Sequence, residues 1–416
     1  MLALIHPRPD DENPRTLWLR VHGHSIGGAL GILEDVPPRR PGNDGSTAEG
    51  DELRVSTLEL FFDLVFVFTL TQLTGLLTHD LAAERVAQVV LIFIVLFWMY
   101  GGYVWLTNQV PPDRPARRLL VVLGMGAFFV CALSIPEAFD GGGIAFGLGY
   151  LLVILVHAGL WLQVYGPSVT VRFGVFNVGA ALIVTTAGFL EGPGAYGLWV
   201  AAIAILFITP RIAGRAAPQF PLRSGHFVER HGLLLIVALG ESVVAIGIGI
   251  AGLVLDVGVF GSAVLGLALA ATLWWAYFVG DEEAAGRAMA AATNIERFQL
   301  AINAYFFSYI PILLGVITTA AGIERSIGRA GERLDGGSAL LLAAGVAMYL
   351  AGDVAFRTVM AIRPIALRAG AAAVALGTFF LGTGVAAGVQ LVTLVLVVIA
   401  ALAAESRRRA EVQVER

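Results

Sequence analysis

Residues 54–78 read RVSTLELFFDLVFVFTLTQLTGLLT and are almost wholly apolar from Leu58 onward, yet they contain Glu59 and Asp63. The run is long enough to cross a bilayer, which takes about 20 helical residues. At about 100° per residue, its acidic residues and three of its threonines fall within about a third of the helix circumference. A carboxylate inside a membrane is costly unless it meets a partner, a cavity or a proton, so this stripe should face protein or water rather than lipid. The stripe comprises Glu59, Asp63, Thr71, Thr74 and Thr78.

The composition of the whole chain is that of a membrane protein. Of its 416 residues, 57% are hydrophobic and only 14% are charged, and its mean hydropathy is +0.80. An ordinary soluble domain is about 25% charged. The apolar runs are continuous and do not alternate, which excludes a transmembrane β-barrel. The single cysteine, Cys131, allows no intrachain disulfide.

The apolar residues fall into twelve segments of bilayer-crossing length. These segments lie near residues 57–78, 86–107, 117–137, 144–165, 171–190, 195–213, 230–253, 257–280, 299–321, 338–360, 364–381 and 384–404. We therefore predict an all-α, polytopic membrane protein with about 12 transmembrane helices. We divide the chain into a disordered cytoplasmic tail at 1–53, a first six-helix unit at 54–213, a basic cytoplasmic linker at 214–229, a second six-helix unit at 230–404 and a basic cytoplasmic tail at 405–416.

The arginines set the orientation of the chain. If both termini lie inside, the cytoplasmic loops hold twelve arginines, from Arg114 to Arg368, against four in the external loops. Both tails add further arginines to the inside. Cytoplasmic loops of membrane proteins carry an excess of Lys and Arg. We therefore predict a multi-pass protein of the cell inner membrane with both termini in the cytoplasm.

The two six-helix units share a weak internal repeat. The first segment ends in LTQLT and the seventh carries LGESV near its middle, while the second and eighth segments both end in Trp and Tyr. The offsets between these matches are about 170 to 180 residues. Because six helices per unit is an even number, we predict two repeats in the same orientation, related by an axis along the membrane normal.

Ionisable residues inside membrane segments are functional candidates by default. Glu241 lies near the centre of the seventh segment beside Ser242, and we expect it to bind a cation or to cycle a proton. The alternative is a protonated hydrogen-bonding link between helices. Glu59 and Asp63 lie one turn apart, and their alternative role is to cap the N-terminus of their helix.

Two further segments carry polar candidates. Asp353 and Arg357 are four residues apart, a spacing that favours a structural ion pair, although Arg357 could instead partner Glu241. Asn303 precedes Pro311, which should kink its helix and free a backbone carbonyl for an ion. The predicted ion- or substrate-binding residues are thus Glu59, Asp63, Glu241, Ser242, Asn303, Asp353 and Arg357.

Other kinds of site find little support in the sequence. His226, Glu229 and His231 form H-x-x-E-x-H, which is not the zinc-protease spacing, and on a helix the two histidines lie about 140° apart. A phosphate-binding glycine loop with Lys is absent, as is G-x-S-x-G. We therefore expect no metal, no cofactor, no catalytic residue, no ATP-driven pump and no nucleic-acid partner.

Two stretches carry a family resemblance. ELFFDLVFVFTLTQLT at 59–74 resembles the opening signature of the bacterial low temperature requirement A family, and HGLLLIVALGESVVAIG at 231–247 resembles its second signature. The resemblance extends over roughly residues 54–404. That family is defined by sequence and a cold-growth phenotype, so the resemblance implies a topology more than a mechanism.

The favoured function is a transporter or channel for a small solute or ion, with buried carboxylates on its pathway. The layout also resembles a six-helix-repeat family of potassium channels with an F-S-D motif, which is F-F-D at 61–63 here, although Thr57 stands where that family has Arg. The alternatives are a membrane-embedded lipid-modifying enzyme, which the dispersed carboxylates disfavour, and a non-transporting scaffold or sensor in cold adaptation. The expected partners are the lipid bilayer and a small ion or solute, and homo-oligomerisation is left open.

Overall fold

The computed structural model describes residues 55–213 and 222–414, and every regular element in those ranges is helical. The predicted all-α class is thereby confirmed. The helices are α1 Thr57–His79, α2 Ala83–Gln109, α3 Pro115–Ser134, α4 Gly143–Ala187, α5 Pro193–Ala213, α6 Ser224–Ile250, α7 Val257–Phe278, α8 Asp281–Ala291, α9 Asn294–Leu300, α10 Tyr309–Ser326, α11 Gly336–Val359, α12 Ala366–Gly377, α13 Phe379–Gly384 and α14 Ala387–Val414, with a 3-10 turn at Ile135–Glu137 and a π-helical segment at Ala301–Ser308.

Eleven helices in the described part of the chain are suited to cross a membrane, one fewer than the twelve predicted segments. Within the described ranges, eleven helical stretches are long and apolar enough to cross a membrane, and Gly174–Ala187 is a shorter apolar helix. Large apolar side chains such as Leu119, Val175 and Phe380 are exposed, as contact with lipid requires. All twelve predicted segments are therefore helical.

Helix α4, Gly143–Ala187, consists of two helices, the predicted fourth and fifth segments, which meet at a break at Gly166. Gly166 has a φ of 74° and a ψ of 178° at the bend, and Pro167 follows it. Glycine adopts a positive φ without the steric cost that a Cβ adds, and proline at the next position interrupts the helical hydrogen bonding. The chain therefore leaves helical geometry at Gly166, and the residues on its two sides form separate helices.

Two predicted boundaries differ from the structure. Helix α6 begins at Ser224, six residues before the predicted segment, so residues 224–229 of the predicted linker are helical. Helix α14 continues to Val414, so most of the predicted C-terminal tail is helical. His226 in α6 and Glu405 in α14 are buried against other helices there, which hydropathy alone does not reveal. The predicted tail at 1–53 and residues 214–221 lie outside the described residues.

The packing neighbours recur in the two halves of the bundle. Helix α1 packs against α2 and α3, α3 against α4, and α2 against α5; likewise α6 packs against α7 and α10, α10 against α11, and α7 against α14. The tightest of these contacts joins α10 and α11, where a Cβ on Gly315 would lie 2.5 Å from the backbone nitrogen of Tyr349. Small residues let helix backbones approach in this way. The shared neighbour pattern agrees with the predicted repeat, whose orientation stays a prediction.

The first prediction concerns the sidedness of the chain. Reporter fusions after residue 215 and after residue 410 should both read cytoplasmic, because the arginine-rich loops lie on that side. A fusion after Arg329, in the loop between α10 and α11, should read external and serves as the control. An external signal at either of the first two positions would contradict the assigned topology.

Candidate functional site

The polar stripe begins at the N-terminus of α1. Ser56 caps the helix, and its backbone N–H donates to Glu59 Oε2 at 2.9 Å while its hydroxyl accepts from the Glu59 N–H. This reciprocal capping satisfies two backbone donors that the helix itself leaves free. Glu59 Oε1 also lies 3.2 Å from Nε2 of His226 on α6. Glu59 therefore caps α1, as the alternative interpretation held, and at the same time joins α1 to α6.

One turn further along α1, Asp63 forms a buried ion pair. Arg230 Nη2 lies 2.8 Å from Asp63 Oδ1, and the Tyr100 hydroxyl of α2 donates to the same oxygen at 2.8 Å. The two charged side chains are 0% and 1% exposed. Asp63 Oδ2 and the Nε and Nη1 atoms of Arg230 have no hydrogen-bond partner within the described residues. This pair is therefore closed to solvent but not saturated with hydrogen bonds.

Asn108 holds the start of α6 against the end of α2. Its amide nitrogen donates to the backbone carbonyl of Arg223 at 2.9 Å, and its amide oxygen accepts from the Arg223 N–H at 3.0 Å. The same amide nitrogen lies 3.2 Å from His226 Nδ1. Asn108 thus fixes the position from which His226 reaches Glu59.

Glu241 occupies the next contact between α1 and α6. The Thr71 hydroxyl donates to Glu241 Oε2 at 2.6 Å, while Glu241 Oε1 and the Ser242 hydroxyl lack a hydrogen-bond partner in the described part of the chain. Glu241 is 1% exposed. Because α6 begins earlier than predicted, Glu241 lies 17 residues after Ser224 and 9 before Ile250, about 26 Å and about 14 Å along the axis, rather than at the helix centre.

These contacts form three successive rungs, Glu59–His226, Asp63–Arg230 and Thr71–Glu241, which we call the polar ladder. Along both helices the residue numbers rise together, so α1 and α6 lie side by side and run in the same direction. The acidic stripe of α1 therefore faces the polar residues of α6 rather than lipid. Between the second and third rungs α1 advances about 12 Å, and there it buries Phe66 and Leu70.

The stripe continues to the far end of α1. The Thr78 hydroxyl donates to Glu324 Oε2 at 3.3 Å, and Arg325 Nη1 donates to the Thr78 carbonyl at 2.7 Å. Thr74, the remaining member, is 1% exposed. Asp335 lies beyond the membrane-spanning segments, where burial would raise its pKa, but hydrogen bonds from Ser338 and the charge of Arg325 outweigh this and lower it to about 2. Asp335 thus keeps the charge that pairs with Arg325.

Asp353 and Arg357 belong to a second group, the charge cluster, which lies apart from the polar ladder. Arg357 donates to Asp281 at 2.7 Å and to Glu405 at 2.9 Å, whereas Arg368 donates to Asp353 at 2.6 Å and to Glu405 at 3.0 Å. The predicted Asp353–Arg357 pair is only a 4.0 Å contact. Arg409, at the more exposed edge of the cluster, places Nη2 3.7 Å from Asp281 Oδ1. Three carboxylates thus meet three guanidinium groups, which joins α8, α11, α12 and α14.

The charge cluster corrects one alternative from the sequence. Arg357 does not partner Glu241, because its guanidinium is occupied by Asp281 and Glu405. Within the described residues no hydrogen bond or ion pair joins the cluster to the polar ladder. Asp353 and Arg357 therefore contribute to helix packing, the structural role that their spacing favoured.

Asn303 also lies apart from the other predicted site residues. It belongs to the π-helical segment, and its side chain is exposed, while its backbone carbonyl accepts from the Ser308 hydroxyl at 3.0 Å. Tyr305 and Tyr309 occupy the buried side of this stretch. Because Asn303 precedes Tyr305 by two residues, it points to roughly the opposite side of the helix. Its predicted place on a pathway is not supported by this geometry.

Comparison with known proteins places the chain in a family. The profile of the bacterial low temperature requirement A protein (LtrA) family matches residues 54–403. The chain belongs to the LtrA family. A relative from Rhizobium meliloti (strain 1021), named uncharacterized protein RA0937, is 27% identical over 317 residues, which are 73% of this chain and 76% of that protein. The matched range of the LtrA family contains every residue of the polar ladder.

For this LtrA family member, the sequence patterns did not identify the residues that pair with the acidic side chains. Arg230 was counted among the cytoplasmic loop arginines, and His226 was considered only for metal binding. A usable signal was present, because His226 and Arg230 are four residues apart, as are Glu59 and Asp63. Two basic residues at the spacing of two acidic residues predict two paired rungs between neighbouring helices, whichever way the helices run. Asp281, Arg368 and Glu405 were missed as well, because they lie at predicted helix boundaries.

The second prediction tests the Asp63–Arg230 pair. Arg230→Gln leaves a buried carboxylate without its cation and should destabilise the protein by about 3–5 kcal/mol. Adding Asp63→Asn to that variant should restore most of the loss, because the uncompensated charge is removed. Thermal unfolding of the purified variants in detergent measures both effects.

The matched control is Arg287→Gln, which removes a surface partner of Glu283 with both side chains well exposed. It should change stability by no more than about 1 kcal/mol. If the double variant unfolds at the same temperature as Arg230→Gln alone, Asp63 and Arg230 are not energetically coupled, and their pairing is wrong.

Proposed function

We propose that this LtrA family member is a transporter or channel of the cell inner membrane that moves protons or small cations along the polar ladder. The observation that carries the proposal is Glu241, a buried carboxyl group with one oxygen bound to Thr71 and the other without a partner in the described residues. An ionisable group kept inside a membrane is costly and is usually functional. In this proposal the protein is not an enzyme, and both of its termini are cytoplasmic.

The stripe on α1 supplies polar groups over most of the helix length. Glu59 and Asp63 lie near its start, Thr71 lies further along, and Thr78 contacts Glu324 near its end. The apolar stretch at Phe66 and Leu70 interrupts this series. Such an interruption favours a gated or alternating pathway over a permanently open pore, because a charged species does not cross an apolar constriction without water.

Glu241 is the exchange group in this proposal. As a neutral carboxylic acid it needs no cation nearby, and among the described residues no ion pair includes it. When the proton leaves, a cation can take its place, with Glu241 Oε1, the Ser242 hydroxyl and the Thr71 hydroxyl as oxygen ligands. Proton release and cation binding at one carboxylate are then mutually exclusive, which couples the two movements.

The Asp63–Arg230 pair acts as a gate on the side where α1 begins. The guanidinium of Arg230 would repel a passing cation if Asp63 did not neutralise it. Protonation of Asp63 weakens that pair, and Tyr100 and the unsatisfied donors of Arg230 offer alternative hydrogen-bonding arrangements. The gate therefore responds to the same species that Glu241 exchanges.

The competing functions make different demands on these residues. A lipid-modifying enzyme needs a reactive group at a membrane surface, whereas each carboxylate of the charge cluster contacts an arginine. A scaffold or sensor in cold adaptation needs no ionisable Glu241. Neutral substitution of Glu241 therefore separates transport from the scaffold alternative.

The third prediction concerns Glu241→Gln in liposomes loaded with a pH-sensitive dye, with proton, sodium and potassium gradients tested in turn. Glutamine keeps the shape and a hydrogen bond to Thr71 but cannot ionise. The variant should fold and insert normally, and flux should fall by about a hundredfold or more, as the loss of a proton-transfer group usually causes. The residual flux should no longer depend on pH.

Glu229→Gln is the matched control, since Glu229 is an exposed residue of the same helix. It should transport like the wild type. If Glu241→Gln transports like the wild type at every pH tested, Glu241 is only a hydrogen-bonding link between helices. If the wild type moves none of these cations, the proposed transport of protons or small cations is wrong.

A further inference from the structure

A cavity of about 170 Å³ lies beside the polar ladder, between α2, the bend of α4, the end of α5, the start of α6 and the π-helical segment. Its walls are largely apolar, and many of the side chains are aromatic. They include Trp98, Trp105, Trp161, Phe227, Tyr305 and Phe306. Among the described residues that line it there is no Asp, Glu, Lys or Arg. A charged ligand would therefore be desolvated there without a counter-charge, so the occupant that fits is uncharged.

The volume of the cavity limits the size of that occupant. An engineered apolar cavity of about 150 Å³ is known to bind benzene. A space of about 170 Å³ therefore holds one ring or two small fused rings, and because the cavity is partly open, the rest of any larger molecule would lie outside it. This comparison favours a compact ligand that reaches the site through the membrane.

The arrangement of the walls favours a planar aromatic ligand. The rings of Trp98 and Phe306 meet edge to face with centroids 5.0 Å apart, as do those of Trp105 and Phe298 at 5.3 Å. The Trp98 indole N–H donates to Asn177 Oδ1 at 3.0 Å, which fixes the ring plane. Offset and edge-to-face contacts of this kind are the geometries that aromatic rings prefer.

Polar groups on the cavity wall determine which hydrogen-bonding groups a ligand should carry. His231 Nδ1 lies 2.9 Å from the Phe227 carbonyl, which places a proton on Nδ1 and leaves Nε2 of the neutral ring as an acceptor. His231 lines the cavity, and so does Asn177, whose amide nitrogen is a donor. A ring that carries one O–H or N–H group therefore matches the wall.

The surrounding backbone is irregular on two sides. The φ of 74° at Gly166 bends α4, and the π-helical segment Ala301–Ser308 contributes further residues to the wall. Departures from α-helical geometry inside long helices recur at binding sites. On α6, Phe227 and His231 follow directly after His226 and Arg230, so the cavity and the polar ladder share two helical turns.

We propose that this cavity binds an uncharged, membrane-soluble aromatic compound with one ring or two small fused rings and one hydrogen-bond donor, such as a phenol or an indole. Binding stands independently of the proposed transport function. Its effect on transport, by contrast, rests on that function and follows from the turns of α6 that the two sites share.

The fourth prediction uses 4-fluorophenol as the probe and fluorine NMR of the purified full-length protein in lipid nanodiscs. The wild type should bind the probe saturably. Gly101→Phe and Gly174→Phe should each weaken binding at least about tenfold, because both glycines line the cavity, a Cβ on either meets no atom within 4 Å, and the added ring fills the space. Fluorobenzene, which lacks the hydroxyl, should bind more weakly than 4-fluorophenol.

Gly126→Phe is the matched control, because Gly126 on α3 also has open space at its Cβ but is exposed away from the cavity. It should bind the probe like the wild type. His231→Phe is a second variant that keeps a ring but removes the acceptor, and it should weaken the binding of 4-fluorophenol more than that of fluorobenzene. This variant tests the site even if a glycine variant fails to fold.

Two results would overturn the proposal. Equal probe binding by the wild type, the filled glycine variants and His231→Phe would show that the probe only partitions into lipid. Native mass spectrometry offers the other test. If a phospholipid stays bound to the wild type, is lost from Gly101→Phe and is not displaced by 4-fluorophenol, the occupant is a lipid chain rather than a ring compound.

Discussion

The buried ion pair between Asp63 and Arg230 fixes how α1 and α6 meet. Breaking a buried pair by removing one partner costs about 3–5 kcal/mol, because the other charge is left without compensation. Sliding one helix by a single residue would rotate one of the two side chains away from the other. The pair therefore sets the register of the two helices, and the order of the three rungs shows that the helices run in the same direction. With that register fixed, Glu59 meets His226 one turn earlier, and Thr71 meets Glu241 two turns later.

The two groups of buried charge differ in how completely they are compensated. In the charge cluster each carboxylate contacts at least one arginine, and the group joins four helices in one network. In the polar ladder, Glu241 contacts a threonine and belongs to no ion pair of the described residues. A compensated network resists change, whereas a buried carboxyl without a cation can exchange its proton. This contrast is why Glu241, and not Asp353 or Arg357, is the centre of the proposed function.

Sequence patterns predicted much of this fold, because bilayer-length apolar runs and the position of acidic residues on one helix face are local properties. The partners of those residues are not local. Arg357 meets residues 76 and 48 positions away, and no spacing rule selects them. Arg230 looked like a loop residue because the arginine excess of cytoplasmic loops does not mark where a helix begins. Asn303 lies on the exposed side of a π-helical segment, and no pattern in the sequence indicates that segment.

The central claim is that the interface of α1 and α6 admits water or ions, and cysteine accessibility tests it most directly. In a Cys131→Ala background, single cysteines at Thr71, Thr74 and Thr78 are treated with a membrane-impermeant thiol reagent, with Phe61 and Leu64 as lipid-facing controls on the same helix. The account predicts modification of the threonine positions and protection by the transported cation, while the control positions stay unmodified. If the threonine positions are as unreactive as the controls, the interface is dry, and the polar ladder only holds the helices together.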